Sequence, residues 1–301
     1  MAFLFPDFDD LPEIAHCPKG CIWGFYDRDA LDLWLLADGG YPALNLLTTA
    51  VVKAASSEIE TGRHVQLDWP LEALKFPGFG RRTINQKIID SSATLNEYAL
   101  DDELHLNTQS GSQWDSLKHY AYQKGQMFYN GLTYEEAKTS DRNGIHNAWS
   151  TFEITVSDLE GALAHQGTVP RQGDILLIRS GYIKRHNEST DHERRAGTQK
   201  NSHAIGLAPS EETIRWLYKH HFAAMAGDTV AFEAWPRDME NPWALHEWSL
   251  VWWGTPLGEL WNLEELSRQC EQHSRWSFFL TSAPLNVRGG VGSPPGAIAI
   301  F

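Results

Sequence analysis

VSDLEGALAHQGTVPRQGDILLIRSG (156–181) is the stretch whose reading decides the fold. Its first half, 156–167, predicts a capped helix: Ser157 leads, Glu160 follows three residues later, and Gly167 closes it. Its second half, DILLIRSG (174–181), is a nearly continuous apolar run of strand length, the pattern of a strand buried on both faces. The same order recurs downstream. SEETIRWLYKHH (210–221) predicts a helix and FAAMAGDTVAFE (222–233) a strand, and then LEELSRQC (263–270) reads as helical and SRWSFFLTSAPL (274–285) as strand-rich. Helices alternating with buried strands mean an α/β protein whose central sheet is flanked by helices. Upstream, 43–62 has helical spacing with Thr48 or Thr49 as cap and Gly62 as stop. HVQLDWPL (64–71) alternates like a strand up to Pro70, a Gly/Pro-rich loop spans 77–81, and DDELHLNTQ (101–109) is strand-like. No repeat, charge block or linker divides the chain, which predicts one domain over 1–301 with an irregular N-terminal arm of about 1–42.

Composition narrows the function classes. The 301 residues are 42% hydrophobic and 21% charged, and 25 Lys and Arg stand against 39 Asp and Glu, for a net charge of −14. That balance disfavours nucleic acid and anionic membrane surfaces as partners, because both need clustered cations. The first residues lack a basic and apolar leader, and no window reaches membrane-spanning length, so a cytoplasmic protein is expected. Cys17, Cys21 and Cys270 do not make a disulfide framework, and Cys17 and Cys21 beside His16 read as thiols rather than a metal clip. The glycines in NVRGGVGSPPGA (286–297) fail the dinucleotide-loop context, since no helix begins at Ser-Pro-Pro, so no nucleotide cofactor is expected. There are 13 Trp, as many as Phe, which points to an aromatic core or a pocket lined with flat rings.

The densest chemistry lies in HLNTQSGSQWDSLKHYAYQKGQMFYNG (105–131). A strand is expected to run into Gln109, with His105 on the same face, Gly111 making a tight turn and Asp115 capping a helix from Ser116. His119 then falls one helical turn after Asp115, so that both face one cavity. A carboxylate and an imidazole at that spacing suit metal binding or acid/base work, and equally an N-cap with a structural histidine. Elsewhere, Asp228 reads as a structural acceptor, Glu233 as a pocket edge or a loop start, and His220 and His221 as a helix end.

GSQWDSLKH (111–119) resembles the signature H-x-G-T-H-x-D-x-P-x-H of the cyclase-like superfamily, which includes kynurenine formamidase and isatin hydrolase. The resemblance extends through WGFYDRD (23–29), ALNLLT (43–48), GDILLIRSG (173–181), GDTVAFE (227–233), His246 and GELWNLEEL (258–266), in the family's order. The wording NTQSGSQWDSLKHY is further similar to a fungal branch of that superfamily. The resemblance implies a swivelling β/β/α fold with a central mixed sheet, a homodimer or larger homo-oligomer, and a hydrolase that opens a C–N bond in a small aromatic or cyclic amide. It places Asp115 at a metal-ligand position, His119 at the acid/base position, and His246 and Glu259 at the late metal pair. The two His ligand positions are Gln109 and Gln113 here, Ser112 replaces Thr and Leu117 replaces Pro. An amide oxygen is a weaker transition-metal ligand than imidazole, so Asp115, His246 and Glu259, aided by Gln109 and Gln113, would hold one divalent ion of the Mn, Mg or Ca kind more readily than Zn, or would work without metal. The resemblance also implies a strand and helical segment before ITVSDLEG (154–161) that this chain shortens. Substrate contacts are expected from Gln109, Gln113, Trp114, Tyr120 and Tyr129, and Trp248, Trp252, Trp253 and Trp261 beside the late pair suggest a partly aromatic pocket. A metal-independent cyclase, dehydratase or lyase of secondary metabolism, and a catalytically impaired binding protein, are the rival readings.

Overall fold

The computed structural model describes residues 4–25, 42–90, 100–138, 153–200, 203, 205–238, 240–285, 287 and 290–301. The implied shortening before residue 153, most of WGFYDRD and Gly289 lie outside them. The strands are β1 (His64–Gln66), β2 (Asn85–Asp90), β3 (Leu100–His105), β4 (Gln113–Asp115), β5 (Glu153–Ile154) and β6 (Ile175–Ile178), followed by β7 (Gly206–Leu207), β8 (Ala224–Gly227), β9 (Leu257–Glu259), β10 (Phe279–Ser282), β11 (Gly292–Ser293) and β12 (Ala297–Ile300). The central sheet has the order β11-β4-β9-β8-β6. It is mixed: β6, β8 and β9 run parallel to their neighbours in that group, while β4 pairs antiparallel with both β9 and β11. A second, antiparallel sheet has the order β1-β12-β10.

Alternation along the strands builds the two core layers. Ala224 and Ala226 of β8 share one buried cluster with Trp114, Trp261, Val65, Ala297, Ala299 and the helix residues Leu266 and Cys270. Met225 points the other way, with Leu257, into a cluster containing Ile214 and Leu217 of the helix Glu211–His220 together with Trp248, Trp252 and Trp253. Trp248, Trp252 and Trp261 are almost completely buried. Each removes roughly 200 Å² from water, a gross contribution of about 5 kcal/mol before conformational entropy is subtracted. These three tryptophans are therefore core. Trp114, Trp248, Trp252, Trp253 and Trp261 are all at most 7% exposed and pack in the core clusters, and Trp253 also lines a cavity with Phe5, Tyr218 and Phe222.

The helix Val156–Gln166 forms where expected, but its cap is Thr155. The Thr155 hydroxyl accepts from Asp158 N–H and the Asp158 carboxylate accepts from Thr155 N–H, two residues ahead of the Ser157/Glu160 expectation. Gly167 closes it with φ 64°. In 43–62 the helix is shorter than expected, Thr49–Ala55, with Thr48 as cap. Ile175–Ile178 are half-buried, because β6 is the edge strand of the sheet rather than an interior one. β2 and β3 form a two-stranded antiparallel ribbon, exposed along nearly its whole length. β3 stops at His105, which is exposed, and the chain turns before Gln109, so the two do not share a strand face as expected. The N-terminal residues lie across the helix Glu211–His220: Tyr218 Oη donates to Pro6 O, and Arg215 makes a two-pronged contact with Asp9. No helix among the described residues is long and apolar enough to cross a membrane.

Candidate functional site

β4 and β9 carry the site. Their register sets Gln113 opposite Glu259, Trp114 opposite Gly258 and Asp115 opposite Leu257. Alternation then puts Gln113, Asp115 and Glu259 on one face and Trp114 on the other. Trp114 packs edge-on against Trp261 and donates from Nε1 to Ser282 Oγ at 2.8 Å. It is part of the inter-sheet core and not of the face that carries the carboxylates. Gly258 is required beneath it: a Cβ there would stand 2.7 Å from both Ala226 Cβ and Trp261 Nε1. Asp115 is thus the last residue of a buried strand, which corrects the expectation that it caps a helix at Ser116. The chain beyond it makes a turn closed by His119 N–H donating to Ser116 O. A run of three buried residues is too short for its period to be read from sequence, and the resemblance to a helix start prevailed.

His246 enters from the segment just before the π-helical turn Glu247–Trp253. Its Nε2 lies 3.2 Å from Glu259 Oε1 and 3.7 Å from Asp115 Oδ2. Its Nδ1 is 2.8 Å from Glu233 Oε1, and Glu233 also accepts from the backbone N–H groups of Leu245 and His246. That bond fixes the imidazole and turns Nε2 toward the two carboxylates. Gln113 Nε2 donates to Glu259 Oε2 at 3.1 Å and to Gln109 Oε1 at 3.2 Å. Both Asp115 oxygens, Glu259 Oε1 and His246 Nε2 are buried without a hydrogen-bond partner, the Nε2–Oε1 approach lacking the alignment of one. Among the described residues, Asp115, His246 and Glu259 are the one group of side chains arranged to hold a metal ion, with ligand atoms within 4.8 Å of one another.

Electrostatics follow from this burial. Desolvation and the neighbouring Glu259 charge push the Asp115 carboxyl well above its ordinary range, against the pull of Arg81. Desolvation likewise raises Glu259 to about 7, against His246 and Arg81. Burial disfavours the charged form of His246, but the Glu233 carboxylate hydrogen-bonded to Nδ1 and the nearby Glu259 charge outweigh it and hold the ring's pKa at about 9. His119 is driven the other way: desolvation, then the His246 and Arg81 charges, keep it neutral. Tyr120 follows directly. Its ring centre lies 5.4 Å from that of His246, and its hydroxyl accepts from Arg237 Nη2 at 3.0 Å. Arg237, buried, also donates to Glu247 Oε1 at 3.1 Å.

The structure thus gathers Gln109, Gln113, Asp115, His246 and Glu259, with Tyr120 beside His246 and with His119 within range of its charge. Tyr129 instead packs in the core against Trp23. Asp228 has the structural role expected of it, accepting from Ser180 N–H, Ser180 Oγ and Gly181 N–H. Three contributors were not legible in the sequence. Glu233, thirteen residues before His246, reads in sequence as a pocket edge or a loop start, with nothing to mark it as the partner of His246 Nδ1. Arg81 sits in a Gly/Pro-rich loop and acts on both carboxylates, and Arg237 follows the cis Trp235–Pro236 bond. A lone Arg in a loop carries no pattern, and only the fold brings these three to the site.

The family description "Putative cyclase" matches residues 65–234, more than half of the chain. A crystal structure of a novel cyclase superposes with a TM-score of 0.74 at 27% identity, covering 93% of this chain and 99% of its own. Isatin hydrolase A from Labrenzia aggregata, bound to benzyl benzoate, superposes with a TM-score of 0.56 at 19% identity, covering 84% of this chain and 98% of its own. An isatin hydrolase bound to the product analogue thioisatinate gives 0.55 at 16%, with 85% and 97% covered. The last two likenesses concern the fold. No curated protein matches the sequence. Site-bearing strands, overall fold and family match agree, and the chain belongs to the cyclase family.

Proposed function

We propose that the protein is a hydrolase opening a C–N bond in a small aromatic or cyclic amide. The observation that carries this reading is the buried Asp115–His246–Glu259 cluster, whose inward oxygens and Nε2 have no hydrogen-bond partner. Buried polar atoms left so are costly, about 1–3 kcal/mol each, unless a ligand completes them. Their chemistry fits one divalent cation, with carboxylates favouring Mn²⁺, Mg²⁺ or Ca²⁺. Such an ion, when bound, polarises a carbonyl and makes water more acidic. The chain's own residues do the rest. Glu233 orients His246, and His119, neutral at physiological pH, accepts a proton from the attacking water and returns it to the leaving nitrogen. Tyr120 stands beside His246 and offers a ring to orient the substrate. The isatin hydrolases of the same fold act, by their names, on a cyclic amide, which supports this substrate class.

The second reading, a metal-independent cyclase, dehydratase or lyase, is favoured by one observation: Arg81 already supplies positive charge to Asp115 and Glu259. Hydrolysis of isatin, formanilides and other aryl amides, followed by product detection with and without chelator, separates the two. Turnover lost on chelation and restored by Mn²⁺ is expected, and His119→Ala should then lose about 10²–10⁴-fold. Undiminished turnover in His119→Ala refutes the proton-transfer role.

A further inference from the structure

Gln109 and Gln113 occupy positions from which side chains could reach a cation at the cluster, yet their geometry assigns them another task. Gln113 faces Glu259 across the β4–β9 register, and the atom it presents is the amide nitrogen, 3.1 Å from Oε2. The second hydrogen of that amide goes to Gln109 Oε1 at 3.2 Å. An amide nitrogen with both hydrogens engaged has no lone pair for a cation, and a carboxylate oxygen can only accept, so the direction of the bond to ionised Glu259 is fixed. Gln109 is itself braced, its N–H donating to Asn107 Oδ1 at 2.9 Å. Glu259 therefore has one oxygen tethered and the other, Oε1, turned toward His246 Nε2. Glu233 treats His246 in the same way, holding Nδ1 and leaving Nε2 to the cluster.

We propose that Gln109 and Gln113 act as a clamp that positions Glu259, and that a hard divalent cation is held by three side chains only, Asp115, Glu259 and His246. This rests on reading the cluster as a cation site, but not on what the enzyme hydrolyses. A tethered Oε2 orients Glu259 so that Oε1 faces the cluster, and the clamp donates to the carboxylate as outer-shell groups do in metal sites generally. Three ligands leave the remaining positions to water or substrate.

The test is a titration of the chelator-treated full chain with Mn²⁺, followed by the electron paramagnetic resonance signal of the free ion and by calorimetry. Wild type should bind one Mn²⁺ per chain, and Asp115→Asn should abolish that binding, locating it. Gln113→Leu should weaken binding by about 10–100-fold, the usual effect of removing an outer-shell donor. Gln113→Glu is the decisive variant. A ligand at position 113 would gain from a carboxylate and bind Mn²⁺ more tightly, whereas a clamp would lose its donor and set a second negative charge against Glu259. Weaker binding by Gln113→Glu, with Gln109→Leu weakened to a smaller extent, supports the clamp. Tighter binding by Gln113→Glu, unchanged affinity in Gln109→Leu, or no Mn²⁺ binding by wild type overturns it. Gln109→Leu decides the matter if the substitutions at 113 prevent folding. No substrate enters the titration, so failure to find an amide hydrolysed leaves its result standing.

Discussion

Replacing Glu233 by Gln isolates the charge that orients His246. The variant keeps the side chain's shape and one acceptor oxygen, but it removes the carboxylate beside Nδ1 at 2.8 Å. In the chelator-treated protein the imidazole pKa is raised from 6.5 to about 9: burial lowers it, and the Glu233 carboxylate that accepts from Nδ1, with the neighbouring Glu259 charge, more than reverses that. The difference corresponds to roughly 3 kcal/mol in favour of the protonated ring, and of the two carboxylates Glu233 is the one that accepts a hydrogen bond from it. A folded-state pKa above the unfolded one contributes stability that is complete below the unfolded value and lost as pH rises through the folded value. The stabilisation is thus present below about pH 6.5 and disappears by about pH 9.5. Glu233→Gln should cost about 1–3 kcal/mol in urea denaturation near pH 6, and the gap to wild type should narrow steadily toward pH 9.5. Carbon-13-labelled histidine resonances should show His246 titrating at lower pH in the variant. A stability gap that stays constant or widens between those pH values would falsify the pairing of Glu233 with a protonated His246.

Gly258→Ala places a methyl 2.7 Å from Ala226 Cβ and Trp261 Nε1, and thermal unfolding should show a loss of about 1–3 kcal/mol from overpacking. Arg237→Met leaves Glu247 buried without its cation. The expected cost is about 3 kcal/mol near pH 8, and smaller near pH 5 because Glu247, already raised by burial, then takes up a proton. Asp228→Asn keeps one oxygen but turns the other into an amide nitrogen, so Oδ1, which accepts from Ser180 N–H and Oγ, and Oδ2, which accepts from Gly181 N–H, cannot both be matched, and stability should fall by about 2 kcal/mol in chemical denaturation.

What the sequence conveyed depended on the length over which a pattern repeats. The helices Glu211–His220 and Glu264–His273 run ten residues each and were read in place. The three-residue strand β4 resembles a helix entry in sequence, because a polar Asp before Ser is also how a helix begins. Asp115, His246 and Glu259 were found through resemblance to a family pattern, and their burial then follows from a β4–β9 pairing that no local period encodes. The tryptophans beside His246 and Glu259 in sequence were read as pocket, whereas the alternating strand faces and the π-helical turn direct them into the core. Glu233 and the two arginines act only through tertiary contact, so nothing local distinguishes them from other charged loop residues.

The pairing that builds the site also fixes when it can exist. Gln113 and Glu259 stand 146 positions apart along the chain, and they meet only after β4 finds β9 within the central sheet. Closing so long a loop costs chain entropy before any contact rewards it, so the face that carries the three side chains exists only once β4 and β9 have paired. An unfolded or partly folded chain cannot assemble the three side chains, and a ligand selective for them stabilises the native state alone, by RT ln(1 + [L]/Kd). Ligand occupancy of the cluster would therefore report completed sheet assembly directly.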